Sequence, residues 1–136
     1  MPMFTTRPPE IPEKKRIMVV DDKTSDTQLV KNCLERTNDY VVKEVNEAKK
    51  ALAAAAEFRP HLILLDVRMP DMDGGALAEA FQADPRFKAV PIVFLTSLLT
   101  REEIAAGGGL GGKFPMLAKP IILPELITYL RQHLRI

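Results

Sequence analysis

Apolar residues along this chain come in short unbroken runs, each closed by a polar or charged residue. Ile17-Met18-Val19-Val20 ends at Asp21-Asp22, and Leu62-Ile63-Leu64-Leu65 ends at Asp66. Ile92 to Leu95 ends at Thr96-Ser97, and Met116-Leu117-Ala118 ends at Lys119-Pro120. Short apolar runs bounded by turn formers read as strands buried on both faces of a sheet. Val41 to Val45, rich in β-branched residues with mixed alternation, supplies one more strand.

Between these runs the pattern changes to helical spacing. A helix is expected from Ser25, with Gln28 as its capping-box partner and Leu29, Val30, Cys33 and Leu34 on one face. Asn46 is the expected N-cap of an alanine-rich helix from Glu47 to Phe58. Gly74-Gly75 opens a third helix through Leu77, Ala80 and Phe81, which Asp84-Pro85 stops because the residue before proline avoids helical angles. Thr100 and Glu103 form a capping box for a brief helix to Ala106. Pro124 fits the first turn of a last helix, whose stripe runs through Leu126 or Ile127, Leu130 and Leu134.

Five strands alternating with five helices predict a parallel sheet with helices on both faces and right-handed crossovers. Residues 1–14, with Pro2, Pro8, Pro9 and Pro12 and no apolar period, predict a disordered arm, leaving 15–136 as a single domain. Gly107 to Gly112 holds five glycines in six residues and is expected to be the most pliable internal stretch.

Composition narrows the setting. No apolar run approaches the roughly 20 residues that span a bilayer, and no signal peptide pattern opens the chain. The single cysteine, Cys33, has no partner for an internal disulfide and is expected in the core. These features predict a cytoplasmic protein without a membrane segment. With 19 basic and 18 acidic residues the net charge is +1, so no global field argues for nucleic acid. Activity must reside in a local site.

That site is predicted at the carboxyl edge of the sheet, where ligands bind in open α/β folds. An acid emerging from a buried apolar strand is poorly placed for stability and well placed for chemistry. The strand ends bring Asp21, Asp22, Asp66, Thr96 and Lys119 to that edge. Taken singly, each has an ordinary reading. An aspartate after a strand is more often a cap or turn former, Asp71 and Asp73 are read as turn residues, and Lys119 alone could be a solvated charge. His61, beside Pro60, is read as a surface or boundary residue, with no partner for metal or phosphoryl chemistry.

In combination these positions resemble the receiver domain of bacterial two-component response regulators. The likeness covers residues 15–136. It rests on the acidic pair, on Asp66 followed by Met69-Pro70-Asp71-Met72-Asp73-Gly74, on Thr96 thirty residues after Asp66, and on Lys119-Pro120. The resemblance implies a flavodoxin-like, CheY-like (βα)5 fold: a doubly wound five-stranded parallel sheet. It implies Asp66 as phosphoacceptor, with Mg2+ held by Asp22, Asp66 and the backbone carbonyl of Arg68, and with Asp21 holding metal-bound water. Thr96 and Lys119 would contact the phosphoryl group and pull the fourth and fifth loops inward, and the Lys119-Pro120 bond would be cis. The partners implied are a sensor histidine kinase or phosphotransfer protein and a downstream protein effector, without direct nucleic acid or membrane contact. Family members also form homodimers through the face of the fourth helix, fifth strand and fifth helix. The expectation is a stand-alone receiver, not an enzyme beyond its own phosphorylation and autodephosphorylation.

Elementary chemistry agrees. Mg2+ prefers oxygen ligands and keeps several waters, so two or three carboxylates suffice, and a divalent cation relieves the repulsion among clustered acids. Met116 stands where the family has an aromatic residue, with Phe114 as a partial substitute, and Met116 and the glycine run together are expected to leave that surface mobile until ordered. Ser97 is small, leaving the phosphoryl group room to approach. Arg68 and Leu98 are expected to overhang it and govern its hydrolysis. Three rival readings compete with this one. A haloacid-dehalogenase-type phosphatase is disfavoured because Val67 and Arg68 follow Asp66 where a second aspartate is needed, and a receiver-like binding module independent of phosphate is disfavoured because every site residue is present. A nucleotide loop at Gly107 to Gly112 is disfavoured because that stretch precedes a strand instead of opening a helix.

Overall fold

The computed structural model describes residues 13–106 and 114–134. The predicted arm, except for its last two residues, and the glycine run lie outside the described residues. Strand β1 (Lys15–Val20) leads to α1 (Thr24–Glu35), then β2 (Tyr40–Val45), a 3-10 turn (Ala48–Lys50) and α2 (Ala51–Phe58). Next come β3 (Leu62–Asp66), α3 (Gly74–Ala83), β4 (Ile92–Thr96), α4 (Arg101–Ala105), β5 (Met116–Ala118) and α5 (Leu123–Leu134). All pairings are parallel and the order is β2-β1-β3-β4-β5, the flavodoxin-like arrangement expected.

Strand alternation divides the core into two layers, because successive side chains point to opposite faces. Met18, Val20, Ile63, Leu65 and Phe94 face one layer with Ala51 and Ala55 of α2 and Leu77, Ala78 and Phe81 of α3. Ile17, Val19, Leu62, Leu64, Val93 and Leu95 face the other with Val30 and Leu34 of α1 and Leu126 and Leu130 of α5. Every residue of β3 and β4 is buried, which accounts for their unbroken apolar sequence. The edge strand β2 alternates buried and more exposed positions, in keeping with its mixed composition.

Several local expectations are corrected. Helix α1 begins one residue earlier than predicted, with Lys23 at the N-cap and no side-chain cap, so the Ser25–Gln28 capping box does not form. Its buried face is Thr27, Val30 and Leu34, whereas Leu29 is 45% exposed and Cys33 only partly buried. The cause is polar: Thr27 turns inward because its hydroxyl meets Glu44 Oε1 at 2.9 Å and accepts from Asn46 Nδ2 at 3.1 Å. Asn46 therefore does not cap the second helix. Its amide instead donates to the Asp21 carbonyl at 2.8 Å, and the chain passes through the 3-10 turn before α2. The Thr100–Glu103 capping box forms as read, and so does the end of α3 at Asp84. His61 is a boundary residue that fastens the start of β3 to β1. Its Nδ1 accepts from the Arg16 N–H at 2.9 Å, while its own backbone N–H donates to the Arg16 carbonyl at 2.7 Å.

Candidate functional site

Register explains how distant residues meet. Val20 lies opposite Leu65, so Asp21, the next residue, leaves β1 beside Asp66. Asp66 pairs with Leu95, which sets Thr96 one step further along β4. Thr96 pairs with Ala118, and the Lys119 N–H donates to the Thr96 carbonyl at 2.8 Å, so Lys119 arrives at the same edge. The Lys119-Pro120 peptide is cis, as expected.

Asp21, Asp22 and Asp66 each offer a carboxylate oxygen, and these lie within 4.8 Å of one another. Asp21 is fully buried, and both its oxygens are engaged: Oδ1 accepts from the Lys23 N–H at 3.0 Å and Oδ2 from Lys119 at 2.6 Å. Lys119 also contacts Asp26 at 3.1 Å and Asp66 Oδ1 at 3.4 Å. Burial works against the ammonium, but its hydrogen bonds to Asp21 and Asp26 and the nearby acids hold it well above the ordinary lysine range. Burial, then the charge of Asp21, push the Asp66 carboxyl up, against the pull of Lys119 and of a hydrogen bond from the Arg68 backbone.

These charges have a consequence for stability. A carboxyl whose pKa is raised on folding favours the fold at low pH and weakens it once ionised. Asp66→Asn is therefore expected to stabilise the metal-free domain at pH 7. The gain should vanish as pH falls below the ordinary aspartate value of 3.8. Urea denaturation at both pH values checks this, and equal stability of the two proteins at pH 7 would contradict it.

Thr96 is buried, and its hydroxyl oxygen accepts from the Leu98 N–H at 2.9 Å, leaving the hydroxyl proton to be donated elsewhere. Arg68 and Leu98 are both exposed beyond their strands. Asp71 accepts from the Lys49 N–H at 3.2 Å, which joins its loop to the 3-10 turn before α2, and Asp73 is the N-cap of α3, though its side chain makes no cap bond. Met116 is buried in the core, while Phe114 packs edge-to-face on Phe94 with centroids 5.4 Å apart. Arg101 ties the site to α4 and α5, donating to the Pro120 carbonyl at 2.7 Å and pairing with Glu125 at 3.2 Å. Sequence reasoning missed Asp26, which lies on the first turn of α1 and not at a strand end. A cavity of about 460 Å3, lined by Arg16, Arg59, Arg86 and Phe87, opens at the opposite, amino-terminal edge and takes no part in this chemistry.

The chain belongs to the response regulator receiver domain family, whose model matches residues 17–131. It is 37% identical over 106 residues to the response regulator PleD of Caulobacter vibrioides, covering 78% of this chain and 23% of that protein. It is 30% identical over 120 residues to the DNA-binding dual master transcriptional regulator RpaA of Synechocystis, covering 88% of this chain and 49% of that one. The chain thus spans about half or less of the length of these curated relatives. Among solved structures, Vibrio cholerae chemotaxis protein CheY4 superposes with a TM-score of 0.74 at 28% identity, covering 89% of this chain and 99% of that one. The receiver domain of Pseudomonas aeruginosa sensor histidine kinase PA1611, with a magnesium ion coordinated in its active-site cleft, gives 0.76 at 26% identity, covering 91% of this chain and 100% of that one. Phosphorylation on an aspartate is the general function of the family, receiver domains bind Mg2+ in the acidic site, and they interact with histidine kinases and effectors. No helix among the described residues is long and apolar enough to cross a membrane.

Proposed function

We propose that Asp66 is the phosphoacceptor of this domain, and that Asp22, Asp66 and the Arg68 carbonyl hold Mg2+ with Asp21 behind them. The observation that carries this reading is the convergence of three carboxylates within 4.8 Å beside a lysine that lies 2.6 Å from Asp21 and 3.4 Å from Asp66. The donor set suits a hard cation: all its side-chain groups are oxygens, and Asp21, with both oxygens engaged, is placed to reach the ion through water. When bound, the ion would neutralise charge on the transferring group and orient it in line with the acceptor.

The chain's own residues do the rest. An Asp66 oxygen attacks phosphorus, the bond from phosphorus to the donor's nitrogen or oxygen breaks, and that pair leaves with the donor. The product is an acyl phosphate on Asp66. Lys119 offers a fixed positive charge to its oxygens, and the free proton of Thr96 offers a hydrogen bond. Autodephosphorylation is the attack of water on the same phosphorus, which breaks its bond to the Asp66 oxygen and releases the carboxylate and inorganic phosphate, with Arg68 and Leu98 at the rim where they can govern access. The phosphoryl donor is a sensor histidine kinase or phosphotransfer protein in the cytoplasm, and the output is a protein effector bound through the surface of α4, β5 and α5. Family likeness supports these assignments, and so does apolar exposure near that surface, where Leu98 and Ile122 are 45% and 46% exposed.

Intact mass after incubation with Mg2+ and acetyl phosphate tests the reading. One phosphoryl group is expected on the parent and none on Asp66→Ala. An equal gain in both would place the acceptor elsewhere. No gain in either, together with no binding of beryllium fluoride, would leave the domain a binding module independent of phosphate.

A further inference from the structure

We infer that Asp26 is a positioning residue that competes with the phosphoryl group for Lys119, so that the first turn of α1 sets the strength of the switch. The inference rests on the phosphoacceptor reading of Asp66. Lys119 donates to two carboxylates, Asp21 at 2.6 Å and Asp26 at 3.1 Å, and its ammonium stands 3.4 Å from a third, Asp66. Of the three N–H donors of an ammonium two are held by Asp21 and Asp26, so an incoming group must share this lysine with them.

The three partners differ in how easily they let go. Asp21 is wholly buried, and parting it from the lysine would strand a charge without solvent. Asp66 loses the charge on its own oxygen when it becomes an acyl phosphate, and its place beside the lysine passes to the phosphoryl oxygens. Asp26 is a third exposed, so water can replace the lysine at small cost. It is the partner that can be exchanged. Its charge also offsets that of Lys119 and opposes a dianion arriving at the same ammonium. Asp26 therefore favours the unmodified state, in which its own bond to Lys119 is made.

Removing only the charge tests this. Asp26→Asn should bind beryllium fluoride with Mg2+ about two- to fivefold more tightly than the parent, a change of the size that partly exposed ion pairs produce. Asp26→Glu, which keeps the charge, should bind like the parent. Binding can be followed by 19F NMR. Weaker or unchanged binding by Asp26→Asn would overturn the inference, since an acid that merely pins Lys119 in its working position would weaken the complex on removal.

A second readout does not depend on phosphoryl chemistry. Reductive methylation of Lys119, followed by mass spectrometry of the peptide, should run faster in Asp26→Asn because the ammonium loses a partner. If the parent takes up no beryllium fluoride, the phosphoacceptor reading fails and the methylation rate still decides whether Asp26 restrains Lys119. An unchanged rate would overturn that restraint.

Discussion

Lys119→Met is expected to destabilise the metal-free domain by about 3 kcal/mol at pH 7. The reason is the neighbourhood, not the lysine's own packing. Asp21 is fully buried and its Oδ2 has Lys119 as a partner at 2.6 Å, while Asp66 carries a second carboxylate on the adjacent strand. Without the ammonium, two acids face each other in a site that excludes water from one of them. The pH dependence follows from the direction of the shift. A lysine whose pKa is raised on folding contributes its stability below its ordinary value of 10.5 and loses it only as pH rises through the raised value, so the parent keeps this contribution throughout the neutral range. The variant's deficit should shrink on acidification, as its stranded carboxyls take up protons, and should also shrink when Mg2+ is added. Urea melts of both proteins at pH 7 and pH 4, with and without Mg2+, provide the check. A deficit unchanged by either condition would mean that lost packing, not charge, was responsible. The same variant should bind beryllium fluoride at least tenfold more weakly, the counterpart of about 1.4 kcal/mol of lost charge pairing.

Gly74→Ala is the second large effect. A Cβ at this position would press on the Asp66 carbonyl and would meet the Val67 carbonyl oxygen at 2.8 Å and the Val67 Cα at 2.9 Å. All three are backbone atoms, and Gly74 itself donates to the Val67 carbonyl at 2.9 Å, so relief requires shifting either the end of β3 or the start of α3. Overpacking of this kind costs about 1–3 kcal/mol, and here the displaced segment carries the phosphoacceptor. Slower labelling by acetyl phosphate should accompany the lost stability. Gly75→Ala is the control. Its Cβ would meet only the Asp73 carboxylate, at 3.2 Å, and alanine inside a helix is favoured over glycine by about 0.5–1 kcal/mol. The first variant should melt lower than the parent and the second no lower. Equal stability of both would remove the close approach of Gly74 as the reason for glycine there.

The site was legible in the sequence to the extent that it is built from strand ends. Each buried strand is an unbroken apolar run, so the first polar residue after it marks the sheet edge, and Asp21, Asp66, Thr96 and Lys119 are all found this way. Parallel register then aligns them, which composition and spacing alone could suggest but not measure. Helix rotation was less legible. Leu29 and Cys33 looked like core by spacing, yet α1 turns Thr27 inward because a hydroxyl there completes a polar network with Glu44 and Asn46. Those partners come from β2 and the loop after it, and no local pattern announces them. Asp26 was invisible for a related reason. An acid in the first turn of a helix is commonplace, and only tertiary folding shows that it shares a lysine 93 residues away.

Arg101 gives the architecture a mechanical aspect. Its guanidinium reaches the carbonyls of Ala118 and Pro120, on either side of Lys119, and the carboxylate of Glu125 in the first turn of α5. The start of α4 is thereby bolted to the segment that carries the lysine, and through it to α5. Arg101 thus works like a rod pinned at both ends, and a displacement of Lys119 would have to stretch or carry along these contacts. One side chain therefore joins the strand end beside the acidic edge to two helices on the outer surface.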